Sequence, residues 1–278
     1  MSLRAKVLLL IFFVGGSFFV FKIYRHFHPV YIPIPPRPEV TITIIPGWNL
    51  RQVAEYLVLK GFASTTDDVY RITGEPARDY RMVANRGPHI ELDTSITQFK
   101  ERNISYEGYL APETYRVFAD ARLEDVIKKL IKERDKQFTA DIYKAVNKSG
   151  ASVHEIITMA SIVEREVKHD EDRTKVADIL WRRVRRGWAL QVDSSVHYAV
   201  DRTGDVFTTN KERDMDSPWN TYKYPGLPPG PISNPGLESI KAALSPEKNE
   251  YWYFLSGRDG KMYYGKTLEE HNANKKYL

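Results

Sequence analysis

The 278-residue sequence contains no cysteine. That excludes a disulfide-stapled scaffold, a thiol nucleophile and any thiolate metal site. Nor does one sign of charge dominate: 41 Lys and Arg face 36 Asp and Glu, a net +5 at pH 7. So mild an excess suits acidic surroundings without marking a nucleic-acid binder. The seven histidines include no His-x-x-x-His pair, so no metal site is expected. There is no Gly-rich phosphate loop and no internal repeat. Ser245-Pro-Glu-Lys248 has the Ser-x-x-Lys form but lacks the Ser-Asp-Asn and Lys-Thr-Gly partners that would give it meaning. What is present is the composition of a folded protein, 42% hydrophobic and 28% charged. The length allows one large or two modest domains.

No apolar run reaches the ~20 residues of an ordinary membrane span. The nearest is Val7–Phe21 (VLLLIFFVGGSFFVF). Lys6 and Lys22 can snorkel, and Ile23 and Tyr24 extend the run to usable length. No A-x-A-like cleavage site follows it, so an uncleaved single-pass anchor is expected over residues 1–28. Arg4 and Lys6 precede the run and Lys22 and Arg25 follow it, so the positive-inside rule barely discriminates. A short positive tail ahead of a large domain favours the amino terminus inside and the bulk outside. Residues 29–39 (with PVYIPIPPRP at 29–38) cannot be helical and suit a semi-rigid polyproline stalk.

The remainder is expected to be α+β. Val40–Ile44 alternates and is β-branched, hence a strand. Asn49 caps a helix over Leu50–Lys60 with Gly61 as its stop, and Ser64 or Thr65 caps a second through Ile72. Strand, helix, helix suggests a small α/β module over 40–98. A larger mixed domain over 99–278 follows. It has helices at Leu123–Phe138, Ser152–Val167 and Arg173–Arg186, a long stiff loop at 203–236 and a β-hairpin from Tyr251 to Tyr264.

Ser152-Val-His-Glu155 is a capping box. Beyond it Val153, Ile156, Ile157, Ala160, Val163 and Val167 form an apolar stripe that contains Glu164. An ionised carboxylate there costs several kcal/mol unless it is paired, neutral or facing a cleft. Desolvation would suit it to general acid work; a buried Glu–Arg pair is the structural alternative. Glu166, about 200° round the helix, reads as solvated. In Leu190-Gln-Val-Asp193, Gln191 and Asp193 share one side of an extended segment and could bond sugar hydroxyls. Alternatively Asp193 or Ser194 caps a helix at Val196–Val200. The loop's Asn, Tyr and Trp suit carbohydrate, or else tie the loop down with Trp219 in the core. Trp181-Arg-Arg-Val-Arg-Arg186 reads as a core stripe with a solvated basic face.

Taken together, these segments resemble the YceG-like family of endolytic murein transglycosylases. The matching pieces are Glu107-Gly-Tyr-Leu-Ala-Pro-Glu-Thr-Tyr115, Ala160-Ser-Ile-Val-Glu-Arg-Glu166, Leu190-Gln-Val-Asp193, Asn220-Thr-Tyr222, Gly226–Ile232, Asn234-Pro-Gly236 and Glu270-His-Asn272. They stand in the family's order. The chain departs at Ser194-Ser195, where the family often has Pro-Thr, and at Ala111, where it has Phe. The resemblance implies a LysM-like module at 40–98 and a catalytic domain at 99–278 outside the cytoplasmic membrane. It implies a lytic transglycosylase, a carbon–oxygen lyase without cofactor, that cuts the N-acetylmuramic acid–β-1,4–N-acetylglucosamine bond inside glycan strands. The product would carry a 1,6-anhydro end. Glu164 would be the single catalytic acid and base, with Glu107, Tyr115, Gln191, Asp193, Asn220 and Tyr222 toward substrate. Peptidoglycan, the membrane and cell-wall synthases would be its partners, and nucleic acid would not. The rival from another class is a catalytically silent peptidoglycan-binding scaffold.

Overall fold

The computed structural model describes residues 17–26, 35–82, 87–202 and 208–278. It comprises two units, Met1–Pro38 and Glu39–Leu278. In the first, residues 17–26 are helical. The earlier part of the expected anchor, residues 7–16, and the stalk residues 29–34 lie outside the described residues. No helix of the described residues is long and apolar enough to cross a membrane.

The second unit is mixed α and β, with two antiparallel two-stranded sheets among its described residues. Strand β1 (Glu39–Thr43) is followed by helices α1 (Leu50–Leu59) and α2 (Thr66–Thr73). Both helices start on reciprocal capping boxes, Asn49 with Gln52 and Thr65 with Asp68. The expected strand–helix–helix order is therefore present. Yet β1 pairs with β2 (Thr114–Phe118), Ile42 opposite Tyr115, so its partner lies beyond residue 98. Next come α3 (Leu123–Gln137), α4 (Ala140–Ser149) and α5 (Val153–Glu166). Helix α6 covers Asp170–Arg185 and opens a turn earlier than the pattern suggested, on three acidic residues that favour a helix N-terminus. Then follow α7 (Asp193–Val200), α8 (Asn210–Arg213) and α9 (Leu237–Leu244). The hairpin β3 (Tyr253–Ser256) with β4 (Met262–Gly265), and α10 (Leu268–Asn274), complete the unit.

Helix α5 is the centre of the core. Its capping box forms as expected: Glu155 N–H donates to Ser152 Oγ at 3.1 Å and Ser152 N–H to Glu155 Oε2 at 2.7 Å. Every residue from Val153 to Val163 except Glu155 is buried, not one stripe alone. A helix apolar nearly all round belongs inside. Its polar members are satisfied there. His154 bonds Tyr109 OH and Pro229 O, each at 2.9 Å, and Ser161 Oγ accepts from Ile232 N–H at 3.0 Å. Trp219 is core and donates to Gly230 O at 3.2 Å. Asn220, fully buried, donates to Arg213 O and Met215 O, each at 2.8 Å. Both residues tie the loop down, so Asn220 does not face substrate.

Glu107 and Tyr115 are also structural. Glu107 is 1% exposed; it accepts from Leu50 N–H at the start of α1 (2.8 Å) and from Asn234 Nδ2 (3.1 Å), and bonds Tyr198 OH. It clamps α1, α7 and the 234–236 segment. Gly108 beside it has φ +83°, and a Cβ there would lie 2.6 Å from Pro231 and 2.8 Å from Ile157. Only glycine fits. Tyr115 is 4% exposed and donates to Ala111 O at 2.6 Å. Neither side chain can reach a glycan from these positions.

Burial lifts the Glu107 carboxyl from 4.5 to about 7, against the opposing hydrogen bond from Leu50 N–H. A raised carboxyl contributes stability fully present below its unfolded value and lost as pH rises through its folded one. Between pH 4.5 and 8 this group should cost the fold roughly 3 kcal/mol. Melting temperatures of the wild type should therefore fall over that window more steeply than those of Glu107→Gln. Equal slopes would show that Glu107 does not titrate in the fold.

Candidate active site

Helix α5 leaves the core at its last turn, and there it presents two carboxyl groups two residues apart, on opposite sides. Their surroundings differ.

Glu164 lies on the wall of a cleft of about 420 Å³, lined also by Ile44, Glu113, Thr114, Arg173 and Glu238. Its side chain is 6% exposed. Oε1 accepts from Arg173 Nη2 at 3.2 Å, and Oε2 from Gly236 N–H, ahead of α9, at 2.9 Å. Arg173 is held in turn by Ser239 Oγ at 3.0 Å and Asp170 at 3.3 Å. Both possibilities raised by the stripe are thus realised: an arginine pair and a cleft. With each oxygen already facing an N–H donor, the carboxyl acts here as an acceptor.

Glu166 is partly exposed, not solvated as its pattern suggested. Ser194 Oγ donates to its Oε1 at 2.5 Å. Burial lifts its carboxyl above the ordinary range, and the Asp193 charge adds to the rise; the Ser194 hydrogen bonds and Arg165 oppose it. Asp193 is the first residue of α7 and not its cap. The N-cap is Val192, which makes no side-chain cap bond. Asp193 Oδ1 accepts from Tyr222 OH and from Thr208 Oγ1, each at 2.6 Å, with Arg213 Nη2 at 3.7 Å. Arg213 also covers the Tyr222 ring at 4.8 Å, and burial raises the Tyr222 hydroxyl. Gln191 is exposed in a left-handed conformation (φ +53°), with its N–H on Thr221 O at 3.1 Å. The shared extended side imagined for Gln191 and Asp193 is therefore absent, because the chain turns between them.

The two segments are joined by Thr221. Its Oγ1 accepts from Val192 N–H at 3.2 Å and bonds Ser195 Oγ at 2.8 Å. That join brings Asp193, Ser194 and Tyr222 beside Glu166. Gln191, Asp193, Asn220 and Tyr222 do not line the Glu164 cleft. Among the described residues no group of His, Asp and Glu is arranged to hold a metal ion.

Read from sequence, Glu166 is only solvated and Ser194 only a possible helix cap, and Arg173, Thr208 and Arg213 have no part in a site. One signal existed for Glu166: it lies seven residues after Met159 and four after Ile162, both fully buried. That is a second apolar stripe on the same helix.

Comparison with known proteins finds that the profile of the YceG-like family matches residues 30–277. The endolytic murein transglycosylase of Bacillus subtilis (strain 168) is 41% identical over 191 residues, which is 67% of this chain and 52% of that protein. The endolytic murein transglycosylase of Streptococcus pneumoniae serotype 2 is 32% identical over 257 residues, 86% of this chain and 45% of the relative. The chain thus spans about half the length of the curated relatives it matches. A crystal structure of a yceG-like protein from Listeria monocytogenes superposes with a TM-score of 0.71 at 37% identity, covering 84% of this chain and 75% of that one.

Ser194 supplies the largest influence that favours the charged form of Glu166. Ser194→Ala should therefore move the Glu166 titration to higher pH. Carbon-13 NMR of the Glu166 carboxyl, followed from pH 3 to 9 in both proteins, reads this directly. A shift to lower pH would contradict the assigned hydrogen bond.

Proposed function

The chain belongs to the YceG-like family, and we propose that it is a peptidoglycan lytic transglycosylase in which one carboxyl group, that of Glu166, is both acid and base. The neutral Glu166 carboxyl donates its proton to O4 of the leaving N-acetylglucosamine as the bond to C1 of N-acetylmuramic acid breaks. The carboxylate so formed then takes the proton of the muramyl C6 hydroxyl, whose oxygen closes on C1. The product is a 1,6-anhydro end, no water is consumed, and Glu166 regains its proton. A hydrolase would need a second carboxylate to activate water or attack C1.

The observation that supports Glu166 is the contrast between the two glutamates. A general acid must hold a proton near working pH and still reach substrate. Both residues are partly buried, and the Glu166 carboxyl is the one raised by burial and by Asp193. Glu164 has both oxygens engaged by Arg173 and Gly236. Asp193, accepting two hydroxyl hydrogen bonds, stays beside Glu166 as an acceptor, suited to orienting sugar hydroxyls through Tyr222 and Thr208. The second reading makes Glu164 the acid, and its place on the 420 Å³ cleft favours it. The proposal extends to the whole protein: an anchor at 7–21, a LysM-like role for 40–98, work outside the cytoplasmic membrane, and cell-wall synthases as partners.

Purified full-length protein should convert glycan strands into fragments with 1,6-anhydro ends, read by mass spectrometry. Glu166→Gln should lower the rate by about 10²–10⁴-fold, while Glu164→Gln should retain activity. The reverse result would transfer the chemistry to the Glu164 cleft. Reducing ends would make the protein a hydrolase, and binding without cleavage in the wild type a scaffold. Because the acid form is required, the rate should fall as pH rises through the Glu166 titration.

A further inference from the structure

The basic segment at the end of α6 is not used by the chemistry above, and it is built unlike a plain solvated face. Trp181 is core, and its Nε1 donates to Ala243 O at 2.9 Å. Arg183 is 6% exposed and spends its guanidinium on backbone carbonyls, Leu190 O at 2.6 Å and Trp252 O at 2.6 Å from Nη2 and 3.1 Å from Nε. Trp188 N–H returns to Arg183 O at 2.9 Å. One buried arginine thus fixes the helix end, the 188–190 segment and the start of the hairpin together.

On the outside of that clamp lie two indoles. Trp188 is 43% exposed, and its ring centroid is 5.0 Å from that of Trp252. The guanidinium carbons of Arg182 and Arg186 sit 4.5 and 4.9 Å from the Trp252 centroid. Arg182 is already committed to Asp178 and Asn249, at 2.9 and 3.0 Å, and to Tyr251 O. Arg186 is exposed and makes no ion pair with a described residue. It leaves guanidinium donors free above an aromatic surface.

We propose that Trp188, Trp252 and Arg186 form a glycan-binding platform that continues from the Glu166 site. The exposed Trp188 indole packs on pyranose C–H surfaces with Trp252 backing it, and Arg186 pairs with a carboxylate of a peptide stem carried by the same strand. The identity of the ligand rests on the peptidoglycan reading above. Two features of the chain connect the platform to that site. Trp188 is six residues before Ser194, so at most about 20 Å of chain separates it from the group that bonds Glu166. The Arg183 guanidinium also donates to Leu190 O, three residues before Asp193, and to Trp252 O, so one side chain ties the backbone that leads to the site to the backbone that carries the second indole. Charge agrees as well: a guanidinium with no ion-pair partner among the described residues suits stems bearing free carboxylates, to which arginine binds through paired N–H donors. A bilayer surface would also accept Trp and Arg, but it would not require that Arg183 tie the Trp252 backbone to Leu190, at the start of the segment that leads to Asp193.

The test is the affinity of the full chain for fluorescein-labelled glycan strands, with and without peptide stems, from anisotropy read within seconds of mixing, before turnover. Trp188→Ala should weaken binding of both strands about tenfold. Arg186→Ala should weaken binding of stem-bearing strands alone. Both residues are exposed, and unchanged melting temperatures would confirm intact folds. Wild-type affinity in both variants would overturn the platform. So would loss of sedimentation with phosphatidylglycerol vesicles in Trp188→Ala without any loss of glycan affinity. The two proposals fail separately. If the wild type binds through Trp188 but cleaves nothing, the platform stands and the enzymatic reading falls. If cleavage depends on Glu166 while Trp188→Ala binds normally, only the platform falls.

Discussion

Helix α5 is enclosed for almost its whole length, and a helix so enclosed must emerge somewhere to reach solvent. From Val153 to Val163 all but one of its residues are buried, and the polar ones among them, His154, Thr158 and Ser161, find partners inside. At Glu164 and Glu166 the helix runs out of core. The segments that wall it, α6 and α9 on one side and α7 with the 219–222 loop on the other, become the walls of two different polar environments. The site depends on this enclosure, because carboxyl groups on a free surface helix would both be solvated alike.

The two environments offer the same chemical group different partners. Around Glu164 stand N–H donors: the Arg173 guanidinium and the backbone amide of Gly236. Around Glu166 stand partial burial, one serine hydroxyl and the neighbouring Asp193 charge. At Glu166 burial and the like charge of Asp193 favour the neutral acid. Two glutamates two residues apart thereby face different partners: Glu164 joins α6 and the start of α9 to α5, and Glu166 faces Ser194 on α7. Asp193 needs its own supports for this arrangement, and Tyr222, Thr208 and Arg213 supply them.

The 234–236 segment carries a second constraint. Asn234 exchanges hydrogen bonds with Gly47 and Trp48 and donates to Glu107, and its N–H and O are both committed. Pro235 O accepts from Arg134, a fully buried arginine of α3, at 2.6 Å. Gly236 then presents its N–H to Glu164. Residues far apart in sequence thus hold one short stretch of backbone, and Glu107 acts through it from inside the core without touching a ligand.

What could be read from the chain alone was what local chemistry decides. The capping boxes at Asn49, Thr65 and Ser152 formed because a cap needs only residues three apart. The hairpin at 253–265 formed because its turn and its aromatic alternation are adjacent. The α5 stripe was visible because helical period is local, although a stripe search on one face passed over Glu166 on the other. The family motifs were legible too, and the family match over residues 30–277 agrees with them. The motif residues, however, did not disclose what each one touches. Glu107, Tyr115 and Asn220 carry the resemblance yet brace the fold. Ser194, where the chain departs from the family's usual proline, donates to Glu166. The sequence by itself determined where helices begin, which residues are apolar and which carboxyl groups lie on α5. Only the tertiary structure decided that β1 pairs with β2, that Arg173 meets Glu164 and that Asp193 meets Tyr222. Those contacts join segments far apart in the chain, and a carboxyl's proton affinity is set by the neighbours that such contacts bring.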